Sequence, residues 1–211
     1  MSHLDLFEGI SEEEVHTIAD HAEDLQCKSR TSLYTPFDGN DRKVFIVKEG
    51  EVILYHSAEG KRTVFDVLGP GMLFGNFLPD MEQVSHFAEL LPGSRICMFP
   101  PEDLQRVVTV HPEVLARLLG KLTERIRDYE ERLKLDTTSA QERVLGELHR
   151  YARKKRNLFS WFHGSVPLAL SHERIAELTG LNRVTVTRSI KVLKHRGMIT
   201  VNPQGRILPS S

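Results

Sequence analysis

The sequence predicts an α+β chain in three parts: an N-terminal antiparallel β-roll, a long helix, and a C-terminal winged helix-turn-helix. Three observations carry this. Short runs rich in Val, Ile and Phe between residues 43 and 99 are separated by Gly50, Gly60, Gly69-Pro70-Gly71, Gly75, Pro79 and Pro92-Gly93, the spacing of turns in a roll or barrel. An apolar stripe then recurs at steps of four and three from Leu115 to Leu133. Last, two short helices with cap residues, Ser171 to Gly197, are followed by a hairpin.

The chain has 211 residues and 40% apolar content, enough for one large domain or two small ones at roughly 100–200 residues each. Its expected parts are a roll over 1–108, a dimerisation helix over 109–136 and a winged helix-turn-helix over 137–211. No stretch approaches the ~18 apolar residues of a membrane span. The N-terminus, with His3, Asp5 and Glu8, lacks the basic-then-apolar plan of a secretory signal, so the expected location is cytoplasmic with no membrane partner. The two cysteines, Cys27 and Cys97, are too few for a disulfide framework or a four-thiolate cluster.

A net charge of −1 conceals a division, since residues 137–211 carry 13 Lys+Arg against 4 Asp+Glu, leaving 15 against 25 for residues 1–136. A chain half acidic and half basic is expected to meet a polyanion with the second half alone.

In chain order, residues 11–24 open with Ser11 and three Glu and place Val15, Ile18 and Ala22 at helical spacing, predicting a short helix. Strands are expected at 43–48, 51–56, 62–68, 84–90 and 94–99. Pro100-Pro101 ends the sheet, and a helix from Glu102 to about Lys134 is expected to break near His111-Pro112. In its second part Leu119, Ile126 and Leu133 fall at a positions and Leu115, Leu122 and Tyr129 at d positions of a heptad seam, which suits a parallel dimer. The alternative is that the stripe packs on the chain's own roll.

A further helix over 140–156 places Val144, Leu145, Leu148 and Tyr151 on one face and ends in Arg153-Lys154-Lys155-Arg156. That cationic end either compensates the helix dipole or touches phosphate. In 171–197, Ser171 caps a helix whose inward residues are Ile175 and Leu178, Gly180 makes the turn, and Asn182 caps the second helix. At 100° per residue Val186, Ile190 and Leu193 lie on one side of that helix, with Arg183, Val184, Thr187, Arg188 and Lys191 opposite.

Those outward residues suit a major groove. Arginine is the usual bidentate partner of a guanine edge, and Val184 can touch a thymine methyl. Thr185, Thr187 and Lys191 are expected at phosphates. Residues 198–208 form the wing hairpin around Asn202-Pro203-Gln204-Gly205, with Arg206 available to phosphate on its returning strand.

The order of these parts, with Lys48 to Tyr55, Gly69-Pro-Gly-Met-Leu-Phe-Gly75 and Leu170 to Gly180, resembles the CRP/FNR (catabolite activator protein / fumarate-nitrate regulator) superfamily from about Leu4 to Leu208. The resemblance implies a cyclic-nucleotide-binding-like jelly roll and a homodimeric transcription regulator. It also implies a palindromic double-stranded operator as partner and, for an activator, RNA polymerase. Arg183-Val-Thr-Val-Thr-Arg188 is similar to the recognition helix of NtcA-type nitrogen-control regulators.

The resemblance places an effector pocket at Phe74, Gly75, Asn76, Ser85, His86, Arg125 and Glu130. Cyclic-nucleotide sensors of this superfamily follow the turn glycine with Glu and add Arg-Ser or Arg-Thr about ten residues later. Here Asn76 and Val84-Ser85-His86 stand instead, and residues 63–94 contain no Lys or Arg, so a buried phosphate would lack its charged partner. Cyclic AMP is not expected, and no cofactor is assigned. Haem, with donors among His56, His86, Met72, Met98, Cys27 and Cys97, and 2-oxoglutarate at Arg125 and Glu130 stay open, as does thiol oxidation. No catalytic residue or metal site is assigned. The rival reading is a metal- or haem-binding, cupin-like roll with a nucleic-acid-binding C-terminal domain.

Overall fold

The computed structural model of the chain describes all residues except 1–4, 12, 14–20, 39–41, 59, 79–83, 159–169, 204, 210 and 211. It parts into two compact units, one of residues 1–61 and 65–125, the other of 62–64 and 126–211. The division falls inside the long helix, after Arg125.

The first unit is a jelly roll of two four-stranded antiparallel sheets. One has the order β1-β8-β3-β6 and the other β2-β7-β4-β5. The strands are β1 (Glu23–Gln26), β2 (Thr31–Tyr34), β3 (Val44–Glu49), β4 (Val52–Ala58), β5 (Lys61–Leu68), β6 (Leu73–Gly75), β7 (Phe87–Leu90) and β8 (Arg95–Phe99). β3 shows why this part of the sequence is continuously apolar. Phe45 and Val47 face a core between the sheets with Leu54, Leu68, Phe74 and Leu90. Val44 and Ile46 face a second core with Leu104, Val107, Val114 and Leu118. Both faces of the strand are covered, so alternation is lost.

Helices α1 (Pro101–Val110) and α2 (Pro112–Asp136) form that second layer, with the expected interruption at His111. Gly75 closes β6 with φ of 93°. A Cβ there would also stand 2.3 Å from the Lys43 carbonyl oxygen, so a side chain is excluded by both conformation and space.

Three expectations are corrected. Glu23 and Asp24, read as the end of a helix over 11–24, belong to β1, where they pair with Met98 and Cys97 of β8; Val15 and Ile18 lie outside the described residues. The strand expected from Val84 begins at Phe87, leaving Val84, Ser85 and His86 before it. Strands β1, β2 and β6 were not anticipated.

The second unit holds α3 (Ala140–Leu158), α4 (His172–Thr179), α5 (Arg183–His195) and the hairpin β9 (Ile199–Val201) with β10 (Ile207–Pro209). Val144, Leu148, Tyr151, Ile175, Leu178, Val186, Ile190, Leu193, Ile199 and Ile207 are buried in it.

Candidate functional site

The two helices of the C-terminal motif are capped as their sequence demands. Ser171 Oγ accepts from the Arg174 amide at 3.0 Å, and Gly180 ends α4 in the left-handed region at φ 66°. Asn182 Oδ1 accepts from the Thr185 amide at 2.8 Å to start α5. Two guanidinium groups cap the far end of α4: Arg132 Nη2 donates to the Leu178 carbonyl at 2.7 Å and Arg143 Nη2 to that of Thr179 at 2.5 Å. Carbonyls left over at a helix end thus receive both hydrogen bonds and positive charge.

With Val186, Ser189, Ile190 and Leu193 buried, α5 turns its other face outward. Val184 is 59% exposed, and Arg183, Arg188 and Lys191 are exposed. An exposed valine between two arginines gains nothing in water; it gains on an apolar partner.

Thr185 and Thr187 differ from expectation in detail. Thr185 is half-buried. Thr187 Oγ1 lies 2.9 Å from the Arg183 carbonyl and 2.9 Å from His172 Nδ1, so its hydroxyl is engaged before any phosphate arrives. Glu173 adds a carboxylate 3.8 Å from Arg183 Nε. His172 and Glu173, at the start of α4, therefore border the outward face. Fifteen residues separate His172 from Thr187, and no sequence signal marks the contact.

Arg206 is exposed on the wing, whose turn is closed by Asn202 Oδ1 accepting from the Arg206 amide at 2.8 Å. Of the basic run 153–156, Arg153 is held by Asp128 at 3.0 Å and Glu131 at 2.7 Å. The hydrogen bond to Glu131 leads the causes that raise its pKa, so Arg153 is spoken for within the protein. The side chains of Lys154, Lys155 and Arg156 lie outside the described residues.

The heptad stripe on α2 divides. Leu115, Leu119, Ile126 and Leu133 are 44, 56, 57 and 67% exposed, whereas Leu122 is half-buried against the helix-side core of the roll. Leu122 is therefore not a residue of an open seam, and Tyr129 is half-buried as well.

In the roll, His86 is brought together with Phe74 and Arg125 around two groups that sequence reasoning missed, Tyr34 and Asp66. The Asp66 carboxylate, 0% exposed, accepts from Arg125 Nε at 2.7 Å and from the Val67 amide at 2.8 Å. Arg125 Nη1 also reaches the Leu73 carbonyl at 3.2 Å. The Tyr34 hydroxyl lies 2.8 Å from His86 Nε2. His86 meets the rings of Phe65 and Tyr34 edge-on, and Phe45 stacks on Phe74 at 5.0 Å.

Burial above all, with the neighbouring His56 and Arg125, holds the His86 imidazole down to about 4 against an opposing pull from Asp66. Burial likewise pushes the Tyr34 phenol up. Both groups are thus neutral near pH 7. Asn76 is buried and Ser85 exposed; Glu130 is exposed and groups with the other unit.

A phosphate inside this roll would meet a buried carboxylate, and the nearby guanidinium is already bound to it. Cys97 sits in the helix-side core, where burial raises its thiol to about 11. Cys27, also buried, donates to the Leu91 carbonyl. Both thiols are buried, whereas the thiols that oxidants attack are exposed. Among the described residues, no group of three or more His, Cys, Asp or Glu is placed to hold a metal ion, and no helix is long and apolar enough to cross a membrane.

A jelly roll, a long helix and a winged helix-turn-helix with an outward basic face define a DNA-binding transcription regulator. Comparison with known proteins gives the same class. Residues 27–111 match the cyclic nucleotide-binding domain and 142–208 the Crp-like helix-turn-helix domain. The chain belongs to the CRP/FNR family.

Among its relatives is the cyclic AMP receptor protein of Thermus thermophilus, 26% identical over 204 residues, covering 94% of this chain and 89% of that one. A CRP-like cAMP-activated global transcriptional regulator of Mycobacterium tuberculosis is 23% identical over 212 residues, covering 98% and 92%. The fold is shared with the c-di-GMP responsive global regulator CLP of Xanthomonas campestris, at TM-score 0.74, 16% identity and coverage of 95% and 100%. FixK2 of Bradyrhizobium japonicum has a TM-score of 0.71 at 20% identity, covering 90% and 93%.

Proposed function

We propose that this regulator acts as a homodimer that reads a palindromic operator through α5, without a cyclic nucleotide as its gate. The observation that carries the DNA reading is the exposed face Arg183, Val184, Arg188 and Lys191 on a helix capped at Asn182. Arg183 and Arg188 take guanine edges and Val184 a thymine methyl, which favours half-sites of the GTA/TAC kind. Their centres lie about 10–10.5 base pairs apart, one helical turn, when two copies are related by a two-fold axis. Arg206 takes a phosphate. An activator of this kind has RNA polymerase as its second partner.

Dimerisation is supported by Leu119, Ile126 and Leu133, successive a positions left open on α2. Independence from cyclic nucleotide is supported by Asp66, which already supplies Arg125 with an anion. Haem and 2-oxoglutarate are not favoured: His86 Nε2 is held by Tyr34, and Arg125 by Asp66.

Selection of bound duplexes from a random pool tests the operator. Two-fold symmetric sites are expected, and enrichment of asymmetric or single-stranded sequences would overturn the reading. The dimer is tested by Leu119→Asp with Ile126→Asp, which places charge in the seam. This variant is expected to sediment as a folded monomer and to bind its operator at least about a hundred-fold more weakly, since one of two half-sites is lost. A dimer at micromolar concentration would place the interface elsewhere.

A further inference from the structure

We infer that His172 is a further DNA-contacting residue, clamped by Thr187 and meeting a backbone phosphate in its protonated form, so that operator binding takes up protons. This rests on the DNA-binding reading above. Thr187 has one hydroxyl proton, and the Arg183 carbonyl 2.9 Å away can only accept. The proton is therefore donated there. His172 Nδ1, 2.9 Å from the same oxygen, must then be the donor. Neutral His172 is fixed as the Nδ1–H tautomer, with its lone pair on Nε2, and no partner for Nε2 is found among the described residues.

The place of this imidazole decides what meets it. His172 opens α4 and is tied to the face of α5 that carries Arg183, Val184, Arg188 and Lys191. When the second helix of such a motif enters the major groove, the first crosses the phosphate backbone. Phosphate oxygens only accept, and so does neutral Nε2. A bond forms only when a proton from solvent adds to the Nε2 lone pair, giving an imidazolium that donates to phosphate through Nε2 and to Thr187 through Nδ1. Each protomer takes up one proton, and nothing else is transferred.

The charged groups around His172 oppose one another. Glu173 stands beside it on its own helix, and Arg183, Arg188 and Lys191 lie on α5. Arg132 of α2 and Arg143 of α3 sit at the opposite end of α4. An arriving phosphate tips this balance towards the charged form. Thr187 is then a positioning residue rather than a phosphate contact of its own.

The test compares the full-length protein with His172→Gln and His172→Arg by fluorescence anisotropy. Each is titrated with the duplex selected for the unaltered protein and with a scrambled duplex, from about pH 6 to about pH 8, where histidine side chains change charge. The unaltered protein is expected to lose on the order of ten-fold in affinity as pH rises across that range. His172→Arg, charged throughout, should bind with a much flatter profile. His172→Gln should bind both duplexes more weakly at low pH, with a salt slope smaller by about two units per dimer.

His149 and His195 are common to all three proteins, so the difference between profiles belongs to position 172. Identical pH profiles for the unaltered protein and His172→Gln would overturn the proposal, as would a change in base preference, which means that neutral Nε2 accepts from a base edge. Should the unaltered protein bind no duplex at any pH, the DNA-binding reading itself fails, and this inference with it.

Discussion

In the roll, Arg125 turns inward to a carboxylate that is wholly buried, whereas on the recognition helix Arg183 and Arg188 turn outward to water. The same side chain does different work in the two places. A buried guanidinium with its carboxylate is part of the folding energetics, because either partner left alone would be an uncompensated charge in a poor solvent. An exposed guanidinium contributes little to folding and keeps its hydrogen-bond donors for a ligand. The difference separates substitutions expected to act on stability from those expected to act on binding.

The largest expected effect is at the buried pair. Asp66→Asn removes the buried carboxylate that accepts from Arg125 Nε, a loss of about 3–5 kcal/mol in thermal or denaturant unfolding. Replacing both partners, as Asp66→Leu with Arg125→Leu, should recover most of that loss, since a well-packed apolar pair often matches a buried ion pair. If the single variant is as stable as the unaltered chain, the pair is not closed to water as described.

Arg188→Ala is expected to reverse the pattern. Stability should shift by no more than about 0.5 kcal/mol, while affinity for the selected operator falls by about 1–3 kcal/mol with discrimination relaxed at one symmetric position. Binding titrations over single-base variants check this. An equal loss on every variant would show that Arg188 touches phosphate rather than a base.

A smaller effect is expected from His86. Its folded-state pKa is lowered to about 4, so the unfolded chain binds this proton more readily. The stability it contributes is present above the unfolded value of about 6.5 and is lost as pH falls from there towards 4. His86→Gln should flatten the unfolding midpoint over that range; an unchanged slope would mean that other groups carry the acid sensitivity.

The surface helix was legible in the sequence because its physics is local. Ser171, Gly180 and Asn182 fix its boundaries, and a 100° wheel separates the face that packs from the face left exposed. The roll was legible only where strands are apolar. β1 is a short edge strand with mostly exposed side chains, and β6 is three residues long, so neither carries a periodic signal.

Asp66 left one trace, a carboxylate inside the apolar run Val64-Phe65-Asp66-Val67-Leu68. Such a group must find a cation if buried, but the cation lies 59 residues away and only the fold pairs them. The seam was half legible for the same reason. Spacing places Leu119 and Leu122 alike on the stripe, and only the packing of α2 on the roll covers one and leaves the other open.

The account stands most directly on operator binding by the purified protein with no nucleotide present. Its affinity for the selected palindrome should be measured by calorimetry or anisotropy, then repeated after saturation with cyclic AMP. The same dissociation constant is expected in both, because Asp66 already occupies Arg125 and residues 63–94 offer no cation to a phosphate. Binding that appears only when cyclic AMP is added, with heat of nucleotide binding at micromolar concentration, would contradict it.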